Sequence, residues 1–314
     1  MTLPAASARV VGYLGPRGTF TEAALHTQPD LAALELRALG SIPDVLAAVS
    51  DGEVDVGFVA IENAIEGSVN VTTDTLAFET DLLIQREVTM RVSLNLLARP
   101  GVSLSDITRV VSIPVATAQC RHFLRDKLPE ARIDAANSTA EAAELIARSK
   151  STHVAAIAPA RSADVYGLEI LAEEIEDHPE NKTRFVAVAR HGIPAPTGHD
   201  KTSIVVFQRA DAPGSLLAIL QEFAARSINL TRLESRPTKR SLGDYCFLID
   251  LEGHIADELV ADALRSLHAK QARVKFLGSY PAAGDHGPSV RREVRKRWKE
   301  AAAWVEELRA QIAR

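Results

Sequence analysis

The predicted strands and helices of this chain follow one order up to residue 192 and a different order from residue 201. In the first part, short apolar runs such as residues 55–61 alternate with helical patterns such as the one that follows Ser41. Strands that alternate with helices are typical of an α/β fold with mainly parallel sheets. In the second part the order is strand, helix, strand, strand, helix, strand, which is the ferredoxin-like order. The chain is therefore expected to contain two modules of different construction.

The module boundaries follow from this change of order and from local composition. Residues 191–200 contain two Gly and two Pro, which indicates a linker. We therefore assign residues 1–192 to the α/β module, 193–200 to the linker, 201–280 to the ferredoxin-like module and 281–314 to a helical tail.

The tail carries an apolar stripe at spacings of three and four residues, which is typical of one face of a helix. Its members are Val290, Val294, Trp298, Ala301, Val305, Leu308 and Ile312. We expect this stripe to be buried against the chain's own modules or against another subunit. The basic residues on the rest of the tail are interpreted as a solvated helix face rather than a nucleic-acid site.

Composition and charge disfavour several classes of protein. The formal net charge of −5 provides no basic field that would attract nucleic acid. Cys120 and Cys246 form no C-x-x-C pair and the nine His are scattered, so no metal site and no cofactor are expected. No apolar run approaches the roughly 18 residues of a membrane span, and the first residues lack the features of a signal peptide. We therefore expect a cytoplasmic protein that contacts neither membrane nor nucleic acid.

The first segment with a chemical signature is GPRGTFTE, residues 15–22, which follows a predicted strand and opens a predicted helix. Backbone N–H groups at a helix start can bind anions, and Thr19 and Thr21 could add hydroxyl donors. The alternative is an ordinary turn in which Thr21 is the N-cap and Phe20 lies in the core.

The second segment is IENAIEGSV, residues 61–69, at the end of a predicted buried strand. Polar groups such as Glu62, Asn63 and Ser68 at the carboxyl end of a parallel strand lie where α/β folds place ligands. The alternative is that Glu62 and Asn63 only cap the loop.

Two later segments repeat this combination of polar groups and element ends. In ANSTAE, residues 136–141, Ser138 or Thr139 is expected to cap a helix, and Glu141 could complete a capping box. The segment NKTRF, residues 181–185, opens a predicted strand, and its Thr beside an Arg could be no more than an exposed strand former.

Taken together and in this order, the four segments resemble the signature motifs of the prephenate dehydratase family. The resemblance covers residues 10–188, more than half of the chain. In the second module, GSLL at residues 214–217 and ESRP at residues 234–237 resemble motifs of the ACT regulatory domain that follows the catalytic module in this family. Ile113 stands where many members carry His, which excludes a catalytic role for that His here. Ala60 stands where Pro is common, and Ser215 replaces an Ala.

The resemblance implies a fold and an activity. The α/β module would have two lobes joined by two crossovers, similar to type II periplasmic binding proteins, with the active site in the cleft that hinge closure shields from water. A βαββαβ ferredoxin-like ACT domain and a C-terminal helix would follow. The reaction would convert prephenate to phenylpyruvate with loss of water and carbon dioxide, with phenylalanine as feedback effector. ACT modules of this kind pair across subunits, so a homodimer or homotetramer is expected.

The resemblance also implies site residues. The essential Thr of the family corresponds to Thr183, with Glu62 as the alternative acid. The implied substrate-binding residues are Thr19, Phe20, Thr21, Asn63, Ser68, Gln119, Ser138, Thr139, Arg184 and Phe185. The implied effector-binding residues are Gly214, Ser215, Leu216, Leu217, Asn229, Leu230, Glu234 and Ser235.

Several alternatives stay open at the level of sequence. A Thr hydroxyl is a weak acid, so hydrogen bonding of the departing oxygen by Thr183 is favoured over simple acid catalysis. Glu62 could donate the proton instead if it is buried. Arg184 could pair with a substrate carboxylate or with acidic neighbours near Glu176. The substrate could be arogenate, or the chain could be an amino-acid sensor without enzymatic activity.

Overall fold

The computed structural model describes residues 8–208, 212–239, 243–271, 273–284, 300, 303–305 and 307–311. The chain divides into two compact units, Met1–Pro194 and Ala195–Arg314. We call them the catalytic unit and the ACT unit after the two modules that the sequence resemblance implies.

The catalytic unit contains eleven described strands and eight described α-helices. The strands are β1 (Val10–Leu14), β2 (Glu35–Leu39), β3 (Val56–Asn63), β4 (Gly67–Ser68), β5 (Leu83–Arg91), β6 (Asn95–Ala98), β7 (Arg109–Ser112), β8 (Arg132–Ala135), β9 (Val154–Ala158), β10 (Glu169–Ala172) and β11 (Lys182–Ala189). The helices are α1 (Phe20–His26), α2 (Pro29–Ala32), α3 (Ile42–Asp51), α4 (Asn70–Asp74), α5 (Pro114–Ala118), α6 (Arg121–Lys127), α7 (Thr139–Arg148) and α8 (Ala160–Tyr166), with a π-helical turn at Thr75–Glu79 and a 3-10 turn at Leu104–Asp106.

These strands form two sheets with the same topology. Lobe 1 has the order β2-β1-β3-β11-β5 with β4 paired to β3, and lobe 2 has the order β8-β7-β9-β6-β10. In each sheet the first three strands are parallel, and the fourth is an antiparallel strand that the chain supplies on arriving from the other lobe. Residues 92–94 and residues 173–181 are the two crossovers. The predicted α/β fold with two lobes joined by two crossovers is confirmed.

Each lobe has its own apolar core, because the sheets are covered by helices and their inner strands are continuous apolar runs. In lobe 1, Tyr13, Leu25 and Phe58 are at most 2 % exposed. In lobe 2, Leu96 and Ile157 are completely buried. Two separately packed cores leave the strand ends of both lobes free to carry polar groups.

Helix starts in the catalytic unit follow the expected capping chemistry. Ser41 caps α3 through a 3.2 Å hydrogen bond from the Asp44 N–H, and Pro43 stands in the first turn as predicted. The sequence pattern of residues 115–127 predicts a single helix, which is wrong, because Gln119 and Cys120 separate α5 from α6. This break gives Gln119 a position at the end of a helix.

The ACT unit has the predicted βαββαβ order. Its elements are β12 (Asp200–Phe207), α9 (Ser215–Ala224), β13 (Leu230–Pro237), β14 (Tyr245–Glu252), α10 (Glu258–Lys270) and β15 (Arg273–Pro281). The antiparallel sheet has the order β13-β14-β12-β15, and its core is formed by residues such as Ile204, Ile219, Phe223 and Ile249.

The tail is described only in part. The stripe residues Val290, Val294, Trp298, Ala301 and Ile312 lie outside the described residues. Val305 and Leu308 are in helical segments and are 38 % and 46 % exposed in the single chain. Burial of the stripe against another subunit therefore stays a prediction. Within the described residues, every helix is too short or too polar to cross a membrane.

Candidate active site

The ends of β3 and β11 bring two of the sequence motifs together in lobe 1. β3 ends at Asn63, and β11 begins at Lys182 directly after the second crossover. The antiparallel register places Thr183 opposite Asn63 on one side and opposite Met90 of β5 on the other. Thr183 therefore lies at the edge of the sheet where α/β folds place ligands.

The strand register shows which of these side chains share a face. Thr183 and Asn63 are direct partners in the pairing of β11 with β3, so their side chains point to the same face of the sheet. Arg184 follows Thr183 in the strand and points to the opposite face. The pairing then shifts between Arg184 and Phe185, which leaves Ile61 as an extra residue of β3.

Asn63 holds the hydroxyl group of Thr183. Its Nδ2 donates to Thr183 Oγ1 at 2.9 Å and to Asn181 Oδ1 at 3.0 Å. Its own Oδ1 accepts the backbone N–H groups of Ile65 and Glu66, both at 3.0 Å. Since the Thr183 oxygen is an acceptor in this contact, its hydroxyl hydrogen is directed to another acceptor.

The hydrogen bonds continue from Asn63 into lobe 2. Asn181 Nδ2 donates to Gln119 Oε1 at 3.2 Å, and Gln119 Nε2 donates to Glu66 Oε1 at 3.1 Å. Gln119 belongs to lobe 2, Glu66 to the β3–β4 turn of lobe 1, and Asn181 to the second crossover. The structure thus brings together the predicted residues Asn63, Gln119 and Thr183. It adds Glu66 and Asn181, which lie inside the quoted motifs but were not predicted as site residues.

Arg184 lies on the other face of the sheet and is paired there. Its side chain is 9 % exposed, with Nη1 3.3 Å from Glu62 Oε2 and Nε 2.7 Å from Glu87 Oε2. The predicted pairing of Arg184 with acidic neighbours near Glu176 is wrong, because Glu176 instead lies 3.0 Å from Arg91. The acidic partners of Arg184 come from β3 and β5, which are distant in sequence and adjacent in the sheet.

Two other predicted residues lie away from the Thr183 hydroxyl. The Glu62 side chain is 38 % exposed and paired with Arg184, so it lacks the burial that the alternative acid requires. Phe185 is 1 % exposed and stacks on Phe58, with ring centroids 5.6 Å apart. Phe185 therefore packs the core of lobe 1.

The GPRGTFTE turn is organised by its own side chains. Thr19, rather than Thr21, is the N-cap of α1, accepting from the Glu22 N–H at 3.2 Å and donating to the Leu14 carbonyl at 3.2 Å. The Gly18 N–H donates to the Glu22 carboxylate. The Gly18 N–H, one of the backbone groups expected from the sequence to bind a substrate anion, is therefore bonded to a carboxylate of the chain itself.

Glu22 also connects the two lobes. Its side chain is 3 % exposed, and its Oε1 lies 3.3 Å from Nη2 of Arg161 in α8. Burial, followed by the nearby Glu22 carboxylate, raises the pKa of Tyr13 to about 12.

Gly18 is in close contact with α8 across the lobes. Its φ is +87°, and its carbonyl accepts a 2.7 Å hydrogen bond from Ser162 Oγ. A Cβ at this position would lie 3.1 Å from Ser162 Oγ and 3.1 Å from Tyr166 Cε2. Only glycine combines this backbone conformation with this approach.

We expect Gly18→Ala to destabilise the catalytic unit through both strain and crowding. Left-handed backbone costs a non-glycine residue roughly 1–2 kcal/mol, and the close contacts with α8 add to it. Gly167→Ala is the matched control, since Gly167 has φ +66° and no atom within 4 Å of the added Cβ. Chemical denaturation should show a larger loss for Gly18→Ala, and equal losses would show that the lobes are not in contact here.

The remaining predicted residues of this unit are also built into local structure. Ser138 caps α7, with its Oγ accepting from the Glu141 N–H at 2.9 Å, and Glu141 accepts in turn from the Asn137 N–H at 2.7 Å. Thr139 is 7 % exposed. Ser68 lies in β4 opposite Glu62.

A cavity of about 330 Å³ lies between the two lobes, and its lining includes Phe20, Met90, Ser93, Arg161, Ile170 and Glu173. Ligand pockets of proteins start at about 300 Å³. Met90 is the cross-strand partner of Thr183, so the cavity borders the face that carries the Thr183 hydroxyl. Arg161 Nε is buried and has no hydrogen-bond partner among the described residues.

The described residues contain no group of three or more His, Cys, Asp or Glu that could hold a metal ion.

In the ACT unit, the predicted GSLL residues lie at the start of α9. Gly214 is the N-cap with φ +86°, and Ser215 Oγ donates to the Ala212 carbonyl at 2.8 Å. Leu216 is half-buried and Leu217 is 58 % exposed. Among the described residues no side chain caps the first turn of α9, and the Ser215 N–H donates to the Ala212 carbonyl at 3.0 Å.

The other predicted effector residues lie along the edge strand β13 or just before it. Asn229 and Ser235 are exposed and Leu230 is half-buried. Glu234 Oε2 lies 2.6 Å from Arg232 Nη2, and its Oε1 lies 3.7 Å from Arg236 Nη1. An effector amine at Glu234 would therefore share this carboxylate with two arginines.

Comparison with known proteins identifies both units. The model of the prephenate dehydratase family matches residues 11–193, more than half of the chain. The chain belongs to the prephenate dehydratase family. The ACT domain model matches residues 202–269, within the ACT unit.

Relatives of this prephenate dehydratase family member extend the match to nearly the whole chain. The prephenate dehydratase of Mycolicibacterium vanbaalenii is 43% identical over 313 residues, covering 95% of this chain and 98% of that protein. The prephenate dehydratase of Arthrobacter aurescens, solved in complex with L-Phe, is 41% identical with a TM-score of 0.88, covering 95% and 99% of the two chains. GqqA, described as a quorum-quenching acylase, is 31% identical with a TM-score of 0.80, covering 88% and 98%. The chain is thus an enzyme, a carbon–oxygen lyase that catalyses a decarboxylating dehydration.

Proposed function

We propose that this enzyme converts prephenate, rather than arogenate, to phenylpyruvate in phenylalanine biosynthesis, and that phenylalanine inhibits it through the ACT unit. One observation carries the catalytic part of the proposal. The Thr183 hydroxyl accepts a hydrogen bond from Asn63 and lies on the face that borders the inter-lobe cavity.

The role proposed for Thr183 is hydrogen bonding to the departing ring hydroxyl. The Asn63 amide polarises the Thr183 oxygen, which strengthens the hydroxyl as a donor. Negative charge grows on the departing oxygen as the carbon–oxygen bond breaks, so a donor aimed at that oxygen stabilises the transition state more than the ground state. Aromatisation of the ring supplies the driving force.

The substrate's remaining groups are proposed to occupy the inter-lobe cavity. Phe20, Met90 and Ile170 provide apolar surface for the ring. Arg161, which lines this space and pairs with Glu22 through Nη2, provides a cation for a carboxylate. The carboxylate that is lost should lie against the apolar wall, because its charge disperses as carbon dioxide leaves.

Some residues implied by the family resemblance are given other roles in this proposal. Arg184 is placed in a structural ion pair, Phe185 in the core, and Thr19 and Ser138 in helix capping. Thr21, Ser68 and Thr139 are still proposed to lie near the substrate. The only support for this is that each lies at or near the end of a helix or strand. Gln119 acts through the hydrogen bonds that reach Thr183.

Acyl transfer, the activity described for GqqA, is less well supported in this chain. A hydroxyl nucleophile needs a neighbouring general base. The described partner of Thr183 Oγ1 is the Asn63 amide, which donates a proton and cannot accept one.

Substrate preference is tested by supplying prephenate and arogenate to the purified enzyme at equal concentrations. Phenylpyruvate forms from prephenate and phenylalanine forms from arogenate, so product analysis separates the two reactions. We expect kcat/KM for prephenate to exceed that for arogenate by at least about tenfold. Prephenate has a keto group where arogenate has an amine, and a site that distinguishes the two groups should discriminate by at least this factor. A preference for arogenate would reverse the assignment.

Regulation by phenylalanine is supported by the uncapped start of α9 and by the L-Phe complex of the Arthrobacter relative. The N–H groups of the first turn can hold the effector carboxylate, and Leu217 offers exposed apolar surface. Because ACT modules pair across subunits, we place the site at an interface of a homodimer or homotetramer. Inhibition requires phenylalanine to bind a less active arrangement more tightly, by about 1–3 kcal/mol.

We expect Gly214→Val to weaken phenylalanine binding in calorimetry and to relieve inhibition. No atom of the described residues lies within 4 Å of a Cβ at Gly214, so the new side chain enters the space proposed for the effector. Gly243→Val is the matched control, because Gly243 also has positive φ, at +95°, and open space around it. Phenylalanine binding that is lost equally in both variants would indicate general strain in the ACT unit rather than a site at Gly214.

A further inference from the structure

A chain of side-chain hydrogen bonds runs from Glu66 through Gln119, Asn181 and Asn63 to Thr183. We propose that Glu66 and Asn181 are positioning residues that fix the direction of this chain, so that it joins Gln119 of lobe 2 to Asn63 and Thr183 of lobe 1 and holds the lobes closed over the substrate. The inference rests on the proposed function of Thr183. We call these five side chains the relay.

The donor-to-acceptor direction of the hydrogen bonds in the relay is fixed at one end by the carboxylate of Glu66. An ionised carboxylate can only accept hydrogen bonds. Gln119 must therefore turn its NH₂ group toward Glu66 Oε1, at 3.1 Å, and its carbonyl oxygen toward Asn181.

The direction is fixed independently at Asn63. Its Oδ1 accepts two backbone N–H groups, at Ile65 and Glu66, so its NH₂ group must face Asn181 and Thr183. A reversed Asn63 amide would set its NH₂ group against two backbone donors.

These two ends leave one orientation for Asn181. It must accept from Asn63 at 3.0 Å and donate to Gln119 at 3.2 Å, and the amide does both. Asn181 is 2 % exposed, so water cannot readily replace a partner that points the wrong way. An amide at this position is the side chain that offers both an acceptor and a donor in this geometry.

The relay depends on lobe closure because its members come from both lobes. Glu66 and Asn63 follow or end β3 in lobe 1, whereas Gln119 follows α5 in lobe 2. The second crossover holds Gln119 twice, through the Asn181 side chain and through a 2.6 Å bond from the Asp177 N–H to the Gln119 carbonyl. Separation of the lobes would break the Glu66–Gln119 contact and remove the Gln119 partner of the Asn181 amide.

The test inverts the relay instead of deleting it. In Asn181→Asp the carboxylate still accepts from Asn63 but cannot donate to Gln119. Gln119 must then turn its NH₂ group to residue 181 and its carbonyl oxygen to the Glu66 carboxylate. Adding Glu66→Gln supplies a donor at that end and completes a reversed relay that still delivers the Asn63 amide to Thr183.

A matched control separates relay polarity from net charge. The double variant Asn181→Asp with Glu180→Gln has the same formal charge as the inverted relay. The Glu180 side chain is 75% exposed and pairs with His178 rather than with the relay.

We expect Asn181→Asp to lower kcat for prephenate about tenfold with KM changed less than about twofold, in line with loss of an orienting hydrogen bond. Glu66→Gln alone should lower kcat by about threefold, and Glu66→Ala by more. The inverted relay should return kcat to within about threefold of the parent, whereas the Glu180 control should stay as slow as Asn181→Asp. Losses that simply multiply, or equal rescue by the Glu180 control, would overturn the relay.

Thermal melting supplies a readout that does not depend on the substrate. Because the relay joins the lobes, Asn181→Asp should lower the melting temperature and the inverted relay should restore it, with no rescue by the Glu180 control. If the parent fails to convert prephenate but this melting pattern holds, the proposed function fails and the relay stands. If the parent converts prephenate and neither kcat nor melting is rescued, the relay fails and the function stands. If Asn181→Asp does not fold, the inverted relay should restore folding, and failure to do so would count against the relay. Glu66→Ala provides a further test at an exposed position, where an unchanged kcat would overturn the relay.

Discussion

Thr183→Ala is expected to lower kcat for prephenate by about 100-fold or more, the loss typical of removing one transition-state hydrogen-bond donor. Thr183 is half-buried at the start of β11, and its side chain contributes one hydrogen bond to Asn63, so the fold should survive the change. Circular dichroism and phenylalanine binding at the ACT unit are the measurements that establish an intact protein.

Thr183→Ser is the matched control for this prediction. It keeps the hydroxyl group and removes only the methyl group, so kcat should fall by much less than in Thr183→Ala. If Thr183→Ala retained near-normal kcat, or if Thr183→Ser were equally impaired, the hydroxyl group would have no part in the chemistry.

Arg184→Met is expected to destabilise the catalytic unit by about 3–5 kcal/mol, because it removes one partner of a buried ion pair. Glu87, whose side chain is 1% exposed, would lose a cation at 2.7 Å. Adding Glu87→Gln should recover part of the loss, since the uncompensated charge is removed. Denaturant titrations of the parent and the two variants provide the comparison.

The same variant distinguishes the two roles that the sequence left open for Arg184. If Arg184 contacted a substrate carboxylate, Arg184→Met would raise KM strongly while leaving the denaturation midpoint near that of the parent. A large KM increase without destabilisation would therefore contradict the structural pairing with Glu62 and Glu87.

Much of the fold could be predicted because its inner strands are apolar runs. The apolar runs at residues 55–61 and 154–158 predict strands, and the structure has β3 and β9 there. The ACT unit was predicted element by element, since each of its strands and helices has a clear period and ends at Gly, Pro or polar residues.

Strand β5 could not be predicted, because three consecutive buried residues at its centre are polar. Gln85, Arg86 and Glu87 follow one another and are at most 7 % exposed. Their partners are distant in sequence: the Gly192 carbonyl accepts from Gln85 at 2.8 Å, and Asp30 pairs with Arg86 at 2.7 Å. The Arg86 side chain holds the pKa of Asp30 below its usual value. Such a run has neither the apolar pattern of a buried strand nor any local sign of its partners.

The site could be predicted in part for similar reasons. Motifs pointed to Asn63, Gln119 and Thr183, which the structure joins through Asn181. The role of Asn181 depends on residues about 60 and about 120 positions away, so local spacing carried no signal for it. The opposite orientation of Arg184 did have a signal, because neighbouring residues of a strand point to opposite faces.

The central claim is that this enzyme dehydrates and decarboxylates prephenate with the Thr183 hydroxyl as donor to the departing oxygen. The most direct measurement is the rate of phenylpyruvate formation from prephenate by the parent enzyme, by Thr183→Ala and by buffer alone. The account predicts saturable formation of phenylpyruvate by the parent and a rate that is lower by about 100-fold or more for Thr183→Ala. No phenylpyruvate above buffer from the parent, or equal rates from parent and variant, would contradict it.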